Sequence, residues 1–112
     1  MASVDSLPID AETISATVDL AWGMALSTST REEIDVRTRE LIGHLNLLRG
    51  QVLDEDQNRD TLRLLRLVER HLATNNRPTR RTQAHDAFNF MRDTAVFAKA
   101  MLDAYKMANG KP

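Results

Sequence analysis

Along four stretches of the chain, apolar residues recur every three to four positions, and no stretch alternates with the period of two expected of a half-buried strand. In the first stretch Asp10 is a good N-cap, and Ile14, Val18, Ala21 and Ala25 form a stripe with Trp22 and Met24 on its shoulders. This predicts a helix over about 10–27. The second opens with a capping box, Thr30-x-x-Glu33, in which each side chain answers a backbone N–H of the other. Its stripe is Ile34, Leu41, Leu45, Leu48 and Val52, and the polar run "DEDQN" closes a helix of about 31–54. A third helix, about 60–74, carries Leu65, Val68 and Leu72, flanked by Leu62 and Leu64. After the loop "TNNRPTR" a fourth runs over about 82–108, with Gly110 as the residue that stops it. Four helices with short links predict an all-α, four-helix antiparallel bundle as a single domain over 1–112, preceded by a flexible segment at 1–8.

Two of these helices are apolar on more than one face. Opposite the leucine stripe of the second helix lie Val36, Gly43, Leu47 and Gly50. A helix-interior glycine costs about 1 kcal/mol relative to alanine, a cost offset where another backbone packs closely against it. In the fourth helix Ala84, Phe88, Met91, Ala95, Ala98 and Leu102 make one stripe. Phe90, Phe97, Met101, Ala104 and Ala108 begin a second about 100° round. Apolar arcs this wide need cover on two sides, and a homodimer is the economical way to supply it. The alternative is a bundle whose helices wrap one another more deeply.

Composition narrows the class. Among 112 residues there is no cysteine, which leaves neither disulfides nor thiolate metal sites. The start "MASVDSLPID" lacks the basic and apolar regions of a secretory signal, and no stretch approaches the roughly 18 apolar residues of a membrane span. A cytoplasmic protein without a membrane partner is expected. Net charge is −1, unevenly spread: residues 1–56 carry 4 Lys/Arg against 11 Asp/Glu, and residues 57–112 carry 11 against 5. The two halves are expected to pair with each other, within the domain or across a dimer; the sharper alternative is a basic surface for an anionic partner.

Several side chains are candidates for chemistry. His44 lies one turn from Glu40, where a carboxylate can orient an imidazole and raise its pKa; the plainer expectation is a boundary histidine bonded to Glu40. His85, Arg92 and Lys99 recur every seven residues in one line that Asp103 extends, either a grip for a substrate carboxylate or a solvated face. Arg59, Arg63, Arg66 and Arg70 form a line on the third helix, with Arg77, Arg80 and Arg81 soon after. That row suits phosphates, but one Trp, one Tyr and no helix-turn-helix signature argue against nucleic acid. An arginine face that salt-bridges the acidic half is expected instead. Asp19 is read as solvated, and Trp22 as core packing or the floor of a cleft. No phosphate loop, metal-binding His pair or recognisable nucleophile is present, so no metal is expected.

The order of "IDAETISATVDLAWGMAL", "LIGHLNLL" and "LRLVERHLATNNRPTRRTQAHDAFNFMRDTAVFAKAMLDAY" resembles a family of small all-helical actinobacterial natural-product biosynthesis proteins, over residues 9 to about 107. Proteins of this size and style include those that form the lysinoalanine bridge of cinnamycin- and duramycin-type lantibiotics. The resemblance implies a cofactor-free enzyme whose partner is a modified precursor peptide, joining Lys to dehydroalanine by intramolecular aza-Michael addition. The other class is a non-catalytic peptide- or partner-binding accessory protein. By residue type and helical position, His44 with Glu40 would handle protons and Arg92 would steady the enolate. Trp22, His85, Lys99 and Tyr105 would bind the peptide. Helix 4 is richer here in Asn, Thr, Phe and Met than the Ala/Arg-rich pattern of the family.

Overall fold

The computed structural model describes residues 9–55, 59–73 and 76–109. Its elements are α1 (Ala11–Gly23), a 3-10 turn (Leu26–Thr28), α2 (Arg31–Glu55), α3 (Arg59–His71) and α4 (Ala84–Asn109), with no strand among the described residues. The protein is all-helical. The expected flexible segment at 1–8 and the stop at Gly110 lie outside the described residues.

Both expected N-caps form. Asp10 accepts the Thr13 N–H at 3.1 Å. Thr30 Oγ1 accepts the Glu33 N–H at 3.1 Å, while Glu33 accepts the Thr30 N–H at 2.8 Å. The C-termini of α2 and α4 fall within a residue of expectation, but those of α1 and α3 come earlier than periodicity predicts. α1 stops at Gly23 because the chain turns extended at Met24 (φ −77°, ψ 148°). The hydroxyls of Thr28 and Ser29 then bond the Ala25 carbonyl at 3.4 and 2.7 Å, competing with helical bonding. Ala25 therefore leaves the α1 stripe and is exposed. α3 stops at His71, three residues before the expected end, as the Asn76 amide caps the Arg70 carbonyl and the Arg77 Nε caps that of Leu72, at 2.8 and 2.9 Å.

The core assembles on the predicted stripes. Ile34, Leu41, Leu45, Leu48 and Val52 of α2 are wholly buried, with Ile14, Val18 and Ala21 of α1 and Leu65, Val68 and Leu72 of the third stripe. α4 is the central helix, packed against α1, α2 and α3. This corrects the reading of its two apolar faces. Phe90 and Met101 of the second stripe are buried within the one chain, where the His71 ring of α3 stacks on Phe90 (centroids 4.2 Å apart, 13° between planes) and meets Phe97 at 5.0 Å. Ala84, at the head of the first stripe, is exposed.

The second face of α2 is open only in part, for Leu47 and Gly50 are half-buried. Val36 and Gly43 are exposed, and a Cβ built at Gly43 or Gly50 would meet nothing within 4 Å. Among the described residues Gly43 and Gly50 make no close helix contact. Among the described residues no helix is long and apolar enough to cross a membrane.

Candidate functional site

His44 does not pair with Glu40. Its Nε2 lies 3.1 Å from Thr17 Oγ1 on α1, and Glu40 is instead held by the Arg37 guanidinium. Because the Thr17 hydroxyl already gives its one hydrogen to the Thr13 carbonyl (3.0 Å), it accepts from His44, which fixes the Nε2–H tautomer and leaves Nδ1 as an acceptor. Half burial pushes the imidazole below its ordinary 6.5, against the opposing pull of Glu40 and Asp10. Burial thus favours the neutral imidazole of His44 over its cation.

Arg92 stands elsewhere. Its guanidinium lies 4.1 Å over the Trp22 ring and 5.6 Å from that of Phe88, and Trp22 is 45% exposed. Thr17 and Trp22 are five residues apart, about 140° round α1 at 3.6 residues per turn. His44 and Arg92 therefore meet α1 on different flanks, and Glu40, His44 and Arg92 are not gathered around one point. The heptad row on α4 is equally dispersed. His85 approaches Asp86 at 3.2 Å, and Lys99 is bonded to Asp103 at 2.9 Å. Tyr105 packs partly buried against the core, and Asp19 is exposed.

His71, which the periodicity left unassigned, repeats the His44 arrangement. Thr94 Oγ1 donates to the Phe90 carbonyl (2.7 Å) and accepts from His71 Nε2–H (2.8 Å). Burial lowers this imidazole too, against Asp93. Among the described residues no three His, Asp or Glu side chains are placed to hold a metal ion.

The arrangement with most chemical capacity lies between α2 and the segment that joins α3 to α4. Thr79 and Thr82 close a tight turn there: the Thr79 N–H bonds Thr82 Oγ1 (2.8 Å) and the Thr82 N–H bonds the Thr79 carbonyl (3.1 Å). Arg31 at the head of α2 ties the turn down. Its guanidinium donates to the carbonyls of Thr79 (2.7 Å) and Thr82, and its Nε to Asp35 at 2.9 Å. The cleft so formed measures about 510 Å³ and is lined by Arg31, Arg39, Arg77 and Arg80, with Ile42 and Pro78 as apolar floor. Asp35 is its one carboxylate and is engaged by Arg31. Sequence reading singled out Arg77 and Arg80 but did not place them beside Arg31 and Arg39, since 38 to 49 residues of chain separate them. The arginines flanking Pro78 in "RPTRR" were the available signal.

Among the described residues no ion pair joins the acidic half to the basic half. Among the described residues every ion pair is local: Arg31–Asp35, Arg37–Glu40, His85–Asp86 and Lys99–Asp103. Arg59, Arg63, Arg66 and Arg70 are exposed, and none reaches an acidic side chain among those residues. Among the described residues no bridge joins the arginine face of α3 to the acidic half, and Asp56 of that half lies outside them; the stripe faces solvent because its opposite side, with Leu65 and Val68, is the one that packs. Fold and cleft together describe a small helical protein with an arginine-lined groove. No family model matches the chain, and no match is found among curated proteins or solved structures.

Proposed function

We propose that this chain is a peptide- or protein-binding module whose partner is acidic, in the natural-product setting that its sequence resemblance implies. The observation that carries the reading is the set of exposed arginines in the second half, Arg59, Arg63, Arg66, Arg70 and Arg80, which make no ion pair among the described residues. Anisotropy of a labelled Glu/Asp-rich peptide tests it against a Gln/Asn peptide of equal length. Binding confined to the acidic peptide and weakened by salt is expected. Equal affinity for both, or none for either, sinks the reading.

A catalytic reading is favoured by one observation, the neutral His44 with its tautomer fixed and Nδ1 free among the described residues. In lysinoalanine formation the peptide Lys amine loses a proton, its nitrogen bonds the dehydroalanine Cβ, and the resulting enolate takes a proton at Cα. His44 Nδ1 would accept the first proton; Glu40 and Arg92 stand apart from it and would act only on a long substrate. Mass does not change, so loss of thiol-reactive dehydroalanine is the readout. His44→Ala should slow that loss by about 10²-fold, and persistence of dehydroalanine with stoichiometric wild-type protein removes the enzyme reading.

For assembly, the short connections support an antiparallel bundle, and the open Val36–Gly43 face of α2 supports a homodimer.

A further inference from the structure

We propose that the cleft between α2 and the 76–82 segment is a carboxylate-binding site for an acidic peptide segment that carries an apolar side chain beside its carboxylates. The proposal rests on the acidic-partner reading and gives it a location.

The division of labour among the arginines points to it. Arg31 has its guanidinium engaged by Asp35 and the carbonyls of Thr79 and Thr82, so it shapes the cleft and is a positioning residue. Arg77 is anchored through Nε on the Leu72 carbonyl, and its two terminal nitrogens have no partner among the described residues. Arg39 and Arg80 are exposed and make no ion pair or side-chain hydrogen bond among those residues. Three arginines from two elements therefore line a groove whose one carboxylate is already bound. A guanidinium fork matches a carboxylate in a bidentate fashion.

The volume and the floor choose between anions. About 510 Å³ falls in the range of sites for small organic ligands and far exceeds a lone oxyanion. Ile42 and Pro78 offer apolar surface that a bare phosphate has no use for. Asp35 at the wall disfavours the dense charge of a polyphosphate, and the segment supplies no glycine-rich nest of backbone N–H groups. A peptide carboxylate with a neighbouring Leu or Val uses both kinds of lining.

The test is anisotropy of a labelled peptide with two Glu beside a Leu, on the full chain and on R39Q, R80Q and R63Q, the last lying on α3 outside the cleft. Expected are losses of about tenfold for R39Q and for R80Q, and less than about threefold for R63Q. Exchange of the two Glu for Gln should abolish binding, and Leu to Ser should weaken it. All three substituted arginines are exposed, and unchanged helical circular dichroism confirms that each variant folds. Three outcomes overturn the site. R39Q and R80Q bind like wild type while R63Q fails, which leaves the acidic-partner reading standing and moves it to α3. Inorganic phosphate displaces the peptide as well as free glutamyl-leucine does, which makes the cleft a phosphate site. No acidic peptide binds wild type, which removes the underlying reading together with the site.

Discussion

The Nε2 of His71 lies 2.8 Å from Thr94 Oγ1, and that hydroxyl is wholly buried between α3 and α4. Thr94 gives its hydrogen to the Phe90 carbonyl one turn back, so the histidine donates and the threonine accepts. The same three-part chain, Thr13 carbonyl to Thr17 to His44, joins α1 to α2. Each outer helix is thus pinned to a long one by a threonine–histidine bond.

Thr94→Val keeps the shape and removes the acceptor, which leaves the His71 Nε2–H unpaired. A loss of about 1–3 kcal/mol is expected in urea unfolding. Thr94→Ser should retain most of the stability, because the hydroxyl survives. Equal losses for both would place the effect in packing.

The pH dependence follows from the lowered imidazoles. Both folded pKa values lie below the ordinary 6.5, by burial, with Glu40 and Asp10 opposing at His44 and Asp93 at His71. Between the folded value and 6.5 the unfolded chain binds more protons, so stability rises with pH. The contribution is complete above about pH 6.5 and is lost as pH falls through the folded values. Urea midpoints measured from pH 7.5 down to 5 should drop, and H44Q/H71Q should flatten that slope. A midpoint independent of pH across the window would falsify the neutral assignment.

Arg92 covers one face of Trp22, the chain's one tryptophan. Arg92→Ala should red-shift Trp22 emission, raise its quenching by acrylamide and cost about 0.5–1 kcal/mol. Unaltered quenching would show that the guanidinium does not shield the ring.

Gly43 separates monomer from dimer. With open space where a Cβ would go, Gly43→Ala should stabilise the isolated chain by about 0.5–1 kcal/mol. If the homodimer seats on this face, the same methyl group weakens association, visible as a rise in the monomer fraction by light scattering. Stabilisation with unchanged mass would move any dimer contact elsewhere.

The turn at Thr79–Thr82 depends on one distant side chain. Arg31→Ala removes two bonds to its carbonyls and the link to Asp35. Charged hydrogen bonds contribute about 1.5–3 kcal/mol each at most, so faster amide exchange at Thr79 and Thr82 is expected before any global unfolding. Exchange that stays slow would show the turn to be held by its threonines alone.

Local chemistry wrote much of the architecture into the chain. Asp10 and Thr30-x-x-Glu33 mark helix starts because their partners lie three residues away, and the leucine stripe of α2 marks a buried face because burial follows the 3.6-residue period. Helix ends were less legible at Ala25 and past His71, where side chains from the following segment compete for the last carbonyls. Which stripe meets which neighbour lies outside periodicity altogether. The second face of α4 looked like a subunit interface until α3 laid His71 on Phe90, and Glu40 looked like the partner of His44 until Arg37 took it. The cleft of Arg31, Arg39, Arg77 and Arg80 exists only because packing of α4 on α2 returns the joining segment to the head of α2. Caps and stripes act over a few residues and can be read in order along the chain, whereas the pairing of histidines with threonines and of arginines with one another depends on helix placement, which the whole core decides at once.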